Sequence, residues 1–269
     1  MTRRLILHVG APKCGSTYLQ RVMLANRDPL SSRGIVYPAP EGSHPGNGLR
    51  LAGIDPAGME TLFGGARTAV LSHEDLISLG PRMTHLPGLC AEHDVALTVL
   101  VFLRPFCEVI YGDYSQFMKQ NFDRYLAEGQ AYDGMSFEEF AVARRSKLTP
   151  TGWLNAWQRT TPLPLRIAPH RRIRATLEEV LDGAEMNWDI EAASANPSLR
   201  VCDCEDIARA MQAGLRAAKI REMYKLAYAK VALADHGRTE TRRVWLEALF
   251  RNQNENIRDT FRFDNRWAA

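Results

Sequence analysis

The chain of 269 residues is 45% hydrophobic and 24% charged, with a formal net charge of +3; this fits a soluble globular protein with a large core and is too mild to call for a nucleic-acid partner. Its longest apolar run, 95–103, falls far short of the ~20 residues that span a bilayer, and five scattered cysteines, an odd number, do not read as a disulfide framework. No apolar leader precedes the first strand, so a cytoplasmic location without a membrane span is expected.

Strand-like runs alternate with helical patterns, as in parallel strands joined by crossover helices. Leu5–Val9 reads as the first strand and Thr17–Ala25 as the first helix. Gly34–Pro38 is a short extended piece ended by proline, and a polar, glycine-rich loop follows over 39–48. Thr68–Ser72 is the second core strand, Glu74–Leu79 a short helix, and about Met83 to Glu92 another. Ala96–Leu103 is apolar at successive positions, the pattern of a parallel strand covered on both faces. Glu108–Gln120 is helical and 121–135 is a loop.

Ser136-x-x-Glu139 has the capping-box pattern and starts another helix. Pro150–Arg159 is a helix with Trp153 and Trp157 on one face, for core packing. Leu165–Ala168 is a further strand. From Asp203 the chain is mostly helical: Ile207–Leu233 forms one or two helices, Asp235-His236-Gly237-Arg238 a turn, and Thr241–Phe250 another helix. Cys202-Asp203-Cys204 lacks a second ligand pair and reads as a loop or helix start, not a zinc site. No linker divides the chain, so one domain over 1–269 is expected, with an α/β core in 1–170 and a helical part in 171–269.

Gly10-Ala11-Pro12-Lys13-Cys14-Gly15-Ser16-Thr17 links the first strand to the first helix. A glycine-bounded loop there turns backbone N–H groups toward one point at a helix N-terminus, where the helix dipole favours an anion. Gly10-x4-Gly15 has the spacing of a phosphate-binding loop, but Ser16 stands where an ATPase-type loop has its lysine, and the lysine lies inside the loop at Lys13.

Pro12-Lys13-Cys14-Gly15-Ser16-Thr17-x-Leu19-Gln20 resembles the 5'-phosphosulfate loop of sulfotransferases that use 3'-phosphoadenosine 5'-phosphosulfate (PAPS) and release adenosine 3',5'-bisphosphate (PAP). The resemblance implies a three-layer P-loop-like fold with a central parallel sheet. It also implies that Lys13 and the segment from Pro12 through Cys14, Gly15, Ser16 and Thr17 hold the 5'-phosphate and sulfuryl group. Further segments resemble landmarks of bacterial carbohydrate-type sulfotransferases in the same order: Phe137–Phe140, the tryptophan helix, Asn196–Leu199 and Asn254–Phe261. Within them Asn196 and Asn254 are expected as turn or capping residues.

Two further constellations sit at strand ends. Arg104 follows the most apolar strand, where open α/β sheets bind ligands, and its planar fork suits a phosphate. In the family this arginine and a serine eight residues on form the 3'-phosphate site. The serine position here is Gly112, followed by Asp113, with Ser115 as a substitute only in a different register. Thr68–Asp75 resembles the strand-end "Leu-Ser-Ser-Glu" segment of bacterial members, with His73 replacing one serine.

Transfer to a hydroxyl needs a base, and Glu74, His73 and His44 are the candidates; Glu74 reads equally as a helix cap. The expected activity is sulfuryl transfer from PAPS to a small-molecule or glycan acceptor, with no metal. The loops 39–48 and 121–135, with Tyr37, His44, Tyr125 and Tyr132, would shape the acceptor pocket. The alternatives are a P-loop kinase or NTPase, and a non-catalytic nucleotide-binding protein of the same fold.

Overall fold

Leu5, Ile6, Leu7 and Val9 are fully buried in a strand whose neighbours pair with it on both edges. The computed structural model describes residues 2–40, 42–161, 163–190 and 197–267. The chain gathers into two compact units: one runs to Arg104, resumes at Pro150 and takes in Ile257–Phe263, and the other includes Pro105–Thr149 and the segment ending at Asn256. Asn196 lies outside the described residues.

The first unit is a three-layer α/β structure. Its strands are β1 (Arg3–Val9), β2 (Ile35–Val36), β3 (Thr68–His73), β4 (Val95–Leu103) and β5 (Arg166–Pro169), all parallel in the order β2-β3-β1-β4-β5. The helices α1 (Ser16–Ala25), α2 (Arg27–Ser32), α3 (Pro56–Phe63), α4 (Leu76–Leu79) and α5 (Leu86–Glu92) connect the first four strands. In β4 the carboxyl half is buried at every position, whereas Ala96 is exposed and Thr98 half-exposed, so the two-faced cover expected of this strand holds for its second half. The connections from β1 and β4 leave in opposite directions, which makes the crevice beyond their carboxyl ends the topological switch point.

Beyond β4 the chain enters the second unit through α6 (Phe106–Glu128) and α7 (Phe137–Arg145). It then adds α8 (Pro150–Thr160) and α9 (Ile173–Val180), which flank β5 in the first unit. The helices α10 (Val201–Gln212), α11 (Ala217–Ala229), α12 (Glu240–Leu249) and α13 (Arg251–Phe261) follow. Trp157 of α8 is fully buried and donates to Leu76 O at 2.9 Å, a core role as its spacing predicts. The capping box is present: Ser136 Oγ accepts from Glu139 N–H at 3.2 Å, and the Glu139 carboxylate accepts from Ser136 N–H at 2.8 Å.

Three expectations change. Helix α6 runs past Gln120 to Glu128 because nothing breaks it before Gly129, which ends it at φ 66°. Residues 121–128 are therefore helix and not loop. Tyr125 and Tyr132 are each 1% exposed, and Tyr132 stacks on Tyr114 at 3.9 Å while donating to Tyr114 O at 2.9 Å. They form the core of the second unit and do not line an acceptor pocket. Tyr37 is buried as well, with its hydroxyl donating to Pro45 O at 2.8 Å. Asn254 is no turn or cap: it lies buried inside α13 and donates to Glu247 at 3.2 Å.

The Asp235–Arg238 turn carries a function that its sequence does not announce. The Asp235 carboxylate accepts from the N–H groups of Val201, Cys202 and Gly237 at 2.7, 3.3 and 3.0 Å, so it caps α10 from a distance in sequence. Cys202 and Cys204 stand in the first turn of that helix, and none of the five cysteines forms a disulfide.

Candidate functional site

The loop after β1 has left-handed backbone at Lys13 (φ 60°) and Gly15 (φ 85°). Alternating turns of that kind fold N–H groups into a concavity suited to an anion. Gly15 is the N-cap of α1, which has no side-chain cap, and Leu19 is the first residue whose N–H is taken within the helix, by Gly15 O at 3.0 Å. The N–H groups of Ser16, Thr17 and Tyr18 thus have no intrahelical acceptor. The Ser16 hydroxyl is buried without a hydrogen-bond partner. Pro12, Gly15 and Thr17 are exposed, Lys13 is half-buried, and Cys14 is buried with its Sγ donating to Pro12 O at 3.3 Å.

Gly10 is glycine for reasons of space. A Cβ there would meet Ser16 Oγ at 2.5 Å, Glu74 Cα at 2.8 Å and Glu74 N at 3.2 Å. The end of β1, the start of α1 and the residue after β3 converge on this one backbone atom, and Gly10 N–H donates to His73 O at 3.1 Å.

On the other side of β1, Arg104 at the end of β4 donates from Nη1 to Lys13 O at 3.1 Å. The structure therefore brings Arg104 and the loop together at the switch point. Gly112 belongs to the second unit, buried within α6. Its neighbour Asp113 is ion-paired to Arg144 at 2.6 Å. Ser115 is fully buried and its Oγ accepts from Leu199 N–H at 2.7 Å, so it does not stand in for the missing serine.

The three candidate bases also meet. The loop of 39–48 is docked on β3 by Asn47: its Oδ1 accepts from Ser72 N–H at 2.8 Å, and the N–H groups of Asn47 and Gly48 donate to Ser72 O at 2.9 and 3.2 Å. This docking sets the His44 ring 4.6 Å from the His73 ring and His44 Nε2 at 3.0 Å from Glu74 Oε1. Both imidazoles have a ring nitrogen taken by the backbone. His44 Nδ1 accepts from Gly46 N–H at 3.0 Å, and His73 Nδ1 accepts from Asp75 N–H at 3.1 Å. His44 therefore presents its other nitrogen to Glu74 as a donor. The His73 ring is buried, and burial pushes its pKa down.

Glu74 and His44 are both open, with side chains 39% and 41% exposed. Burial pushes the Glu74 carboxyl up, but bonds from Gln20, from its own backbone and from His44 outweigh that and hold it below its ordinary value. Glu74 is not a helix cap: α4 begins two residues later, at Leu76, and has no side-chain cap.

Behind Glu74 runs a polar chain that sequence reasoning missed. Gln20 Nε2 donates to Glu74 Oε2 and to Ser72 Oγ, both at 3.2 Å, and Ser72 Oγ lies 2.7 Å from His8 Nδ1. His8 is 1% exposed, and burial lowers its pKa to about 4, so the ring is neutral. The signal was available: positions 16, 19, 20, 22 and 23 of α1 are buried, and two of the five are polar.

A cleft of about 300 Å³ opens at the opposite, amino ends of the strands, among Arg4, Arg33, Arg67 and Asp182. Arg4 is occupied there by Val180 O at 2.6 Å and by Asp182, so the cleft is separate from the chemistry at the carboxyl ends. Among the described residues no group of three or more His, Cys, Asp or Glu side chains gathers as a metal site, and no helix is long and apolar enough to cross a membrane.

Fold and site together define a parallel α/β protein whose central strand ends in a glycine-bounded loop, with an arginine on one flank and a carboxylate on the other. No family model, no curated protein and no solved structure matches the chain.

Proposed function

We propose that this protein is a sulfotransferase that moves a sulfuryl group from PAPS to a hydroxyl of a small-molecule or glycan acceptor. The observation that carries the reading is one juxtaposition: a glycine-bounded loop at the helix N-terminus, beside Arg104 and Glu74 at the neighbouring strand ends. The family resemblance of residues 12–20 supports it. The residues fit such a donor, because the loop backbone, the unpartnered Ser16 hydroxyl and the lysine together suit a phosphate.

PAPS, when bound, supplies a sulfuryl group activated by a phosphate leaving group. The N–H groups of residues 15–17 and the hydroxyls of Ser16 and Thr17 would hold the 5'-phosphate, with the Cys14 N–H engaged by Ala11 O at 3.3 Å. The Lys13 ammonium would neutralise the charge that the bridging oxygen takes up with the electron pair of its broken bond to sulfur. Glu74, ionised at neutral pH because its pKa is lowered, accepts the acceptor's proton as the hydroxyl oxygen bonds to sulfur. His44 and Gln20 hold the carboxylate from either side. Arg104 is the remaining family-type ligand for the 3'-phosphate.

Gly112, which brings no hydroxyl, favours a second reading: a protein that binds the nucleotide without turnover. Calorimetry with PAP, followed by transfer from radiolabelled PAPS to a panel of sugars, glycolipids and phenols, separates the two. The expected result is PAP affinity plus labelled product. Binding without transfer to any acceptor selects the second reading, and preference for magnesium–ATP over PAP overturns both.

A further inference from the structure

Helix α1 does two things on its buried face. Ser16 opens it at the loop, and Gln20 lies one turn on, on the same face. The Gln20 amide is fully buried and its orientation is dictated. Exchanging its oxygen and nitrogen would set Oε1 against the Glu74 carboxylate and leave both Glu74 and Ser72 without the donor they share. Ser72 is itself fixed, by His8 opposite it in the parallel register and by Asn47 on its backbone N–H.

The arrangement leaves Gln20 Oε1 buried without a partner, a penalty that a leucine at position 20 would avoid. An apolar core does not explain a glutamine there. Holding Glu74 does.

We propose that Gln20 is a positioning residue that ties the acceptor's base to the donor loop: its amide holds Glu74 from the same helix whose N-terminus carries Ser16 and Thr17, and Ser72, braced on His8, keeps that amide in place. The inference rests on Glu74 being the base of the proposed transfer. One helix, α1, thus carries both the loop's Ser16 and Thr17 and the amide that holds the carboxylate.

The test is a carbon-13 NMR titration of the glutamate carboxyls in the full chain, with the Glu74 signal assigned by its loss in Glu74→Gln. Facing Glu74 are His8 on β1, Tyr37 and His44 from the loop after β2, and His73 and Asp75 beside it; these are unchanged in the variants. Gln20→Leu is expected to raise the Glu74 midpoint by ~0.5 pH unit or more, since a donor to the charged form is lost. Ser72→Ala moves it the same way by less, and Met23→Ala, on the same buried face, leaves it in place. Once an acceptor is in hand, the acid limb of kcat/KM shifts with the midpoint while PAP affinity is unchanged.

An unmoved midpoint in both Gln20→Leu and Ser72→Ala overturns the proposal, as does a shift in Met23→Ala as large as that in Gln20→Leu. A wild-type chain that fails to bind PAP, with Glu74 still displaced by Gln20→Leu, removes the sulfuryl-transfer reading and leaves the tie between Gln20 and Glu74 standing.

Discussion

Replacing Gly10 by alanine tests whether the site is built by the close approach of three backbone segments. The new methyl carbon would lie 2.5 Å from Ser16 Oγ, 2.8 Å from Glu74 Cα and 3.2 Å from Glu74 N, well inside the 3.4–4 Å of ordinary contact. Ser16 can rotate away, but the Glu74 backbone cannot, because Gly10 N–H is bonded to His73 O at 3.1 Å. The ends of β1 and β3 must part, and overpacking of that kind costs roughly 1–3 kcal/mol. The melting temperature should fall by roughly 2–10 °C. Gly88→Ala is the matched control: it lies within α5 with nothing within 4 Å, so the same substitution should stabilise by about 0.5–1 kcal/mol through helix propensity. Thermal unfolding followed by circular dichroism reads both. A Gly10→Ala chain that melts at or above the wild-type temperature would refute the reasoning.

Lys13→Ala should lower turnover at least about tenfold, a floor set against the ~100-fold losses seen for single transition-state donors; a radiolabel transfer assay at saturating PAPS measures it, and full activity would remove Lys13 from the mechanism. Asp235→Asn should destabilise the chain by roughly 1–2 kcal/mol, because a carboxylate that accepts two N–H bonds at the start of α10 and a third from Gly237 in its own turn is lost. Burial raises the Asp235 pKa, but those backbone bonds outweigh it and leave the value below normal. Its stabilisation is therefore complete above the unfolded value of ~3.9 and disappears as pH falls through the folded one; urea midpoints taken from pH 6 downward should fall less steeply in the variant. Tyr132→Phe should cost about 1 kcal/mol through the bond to Tyr114 O, with the stacked ring kept, measured by the same urea titration.

What was legible in the sequence was local. Leu5–Val9 and Thr68–Ser72 announce buried strands by consecutive apolar residues, and Ser136-x-x-Glu139 closes its capping box within four residues. The loop of residues 10–17 could be read because its glycines and lysine are contiguous. The length of α6 could not, since its polar residues after Gln120 look like a loop until the aromatic core they flank is known. The polar chain behind Glu74 was silent for a different reason. Residues 8, 20, 44, 72 and 74 come together only through the parallel register that sets His8 beside Ser72, and through a loop hung on Asn47.

Asn47 is followed by Gly48, the pairing at which an asparagine amide is most readily lost through cyclisation onto the next nitrogen. In the folded chain that nitrogen is engaged with Ser72 O, and the Asn47 amide is buried, donating to Pro38 O and Val70 O while accepting from Ser72. The bonds that moor His44 beside Glu74 thus also shield the mooring from chemical ageing. Whenever that segment peels away, the shield lifts. A carboxylate formed there would return to face two carbonyl oxygens, so a transient opening would be converted into a permanent one.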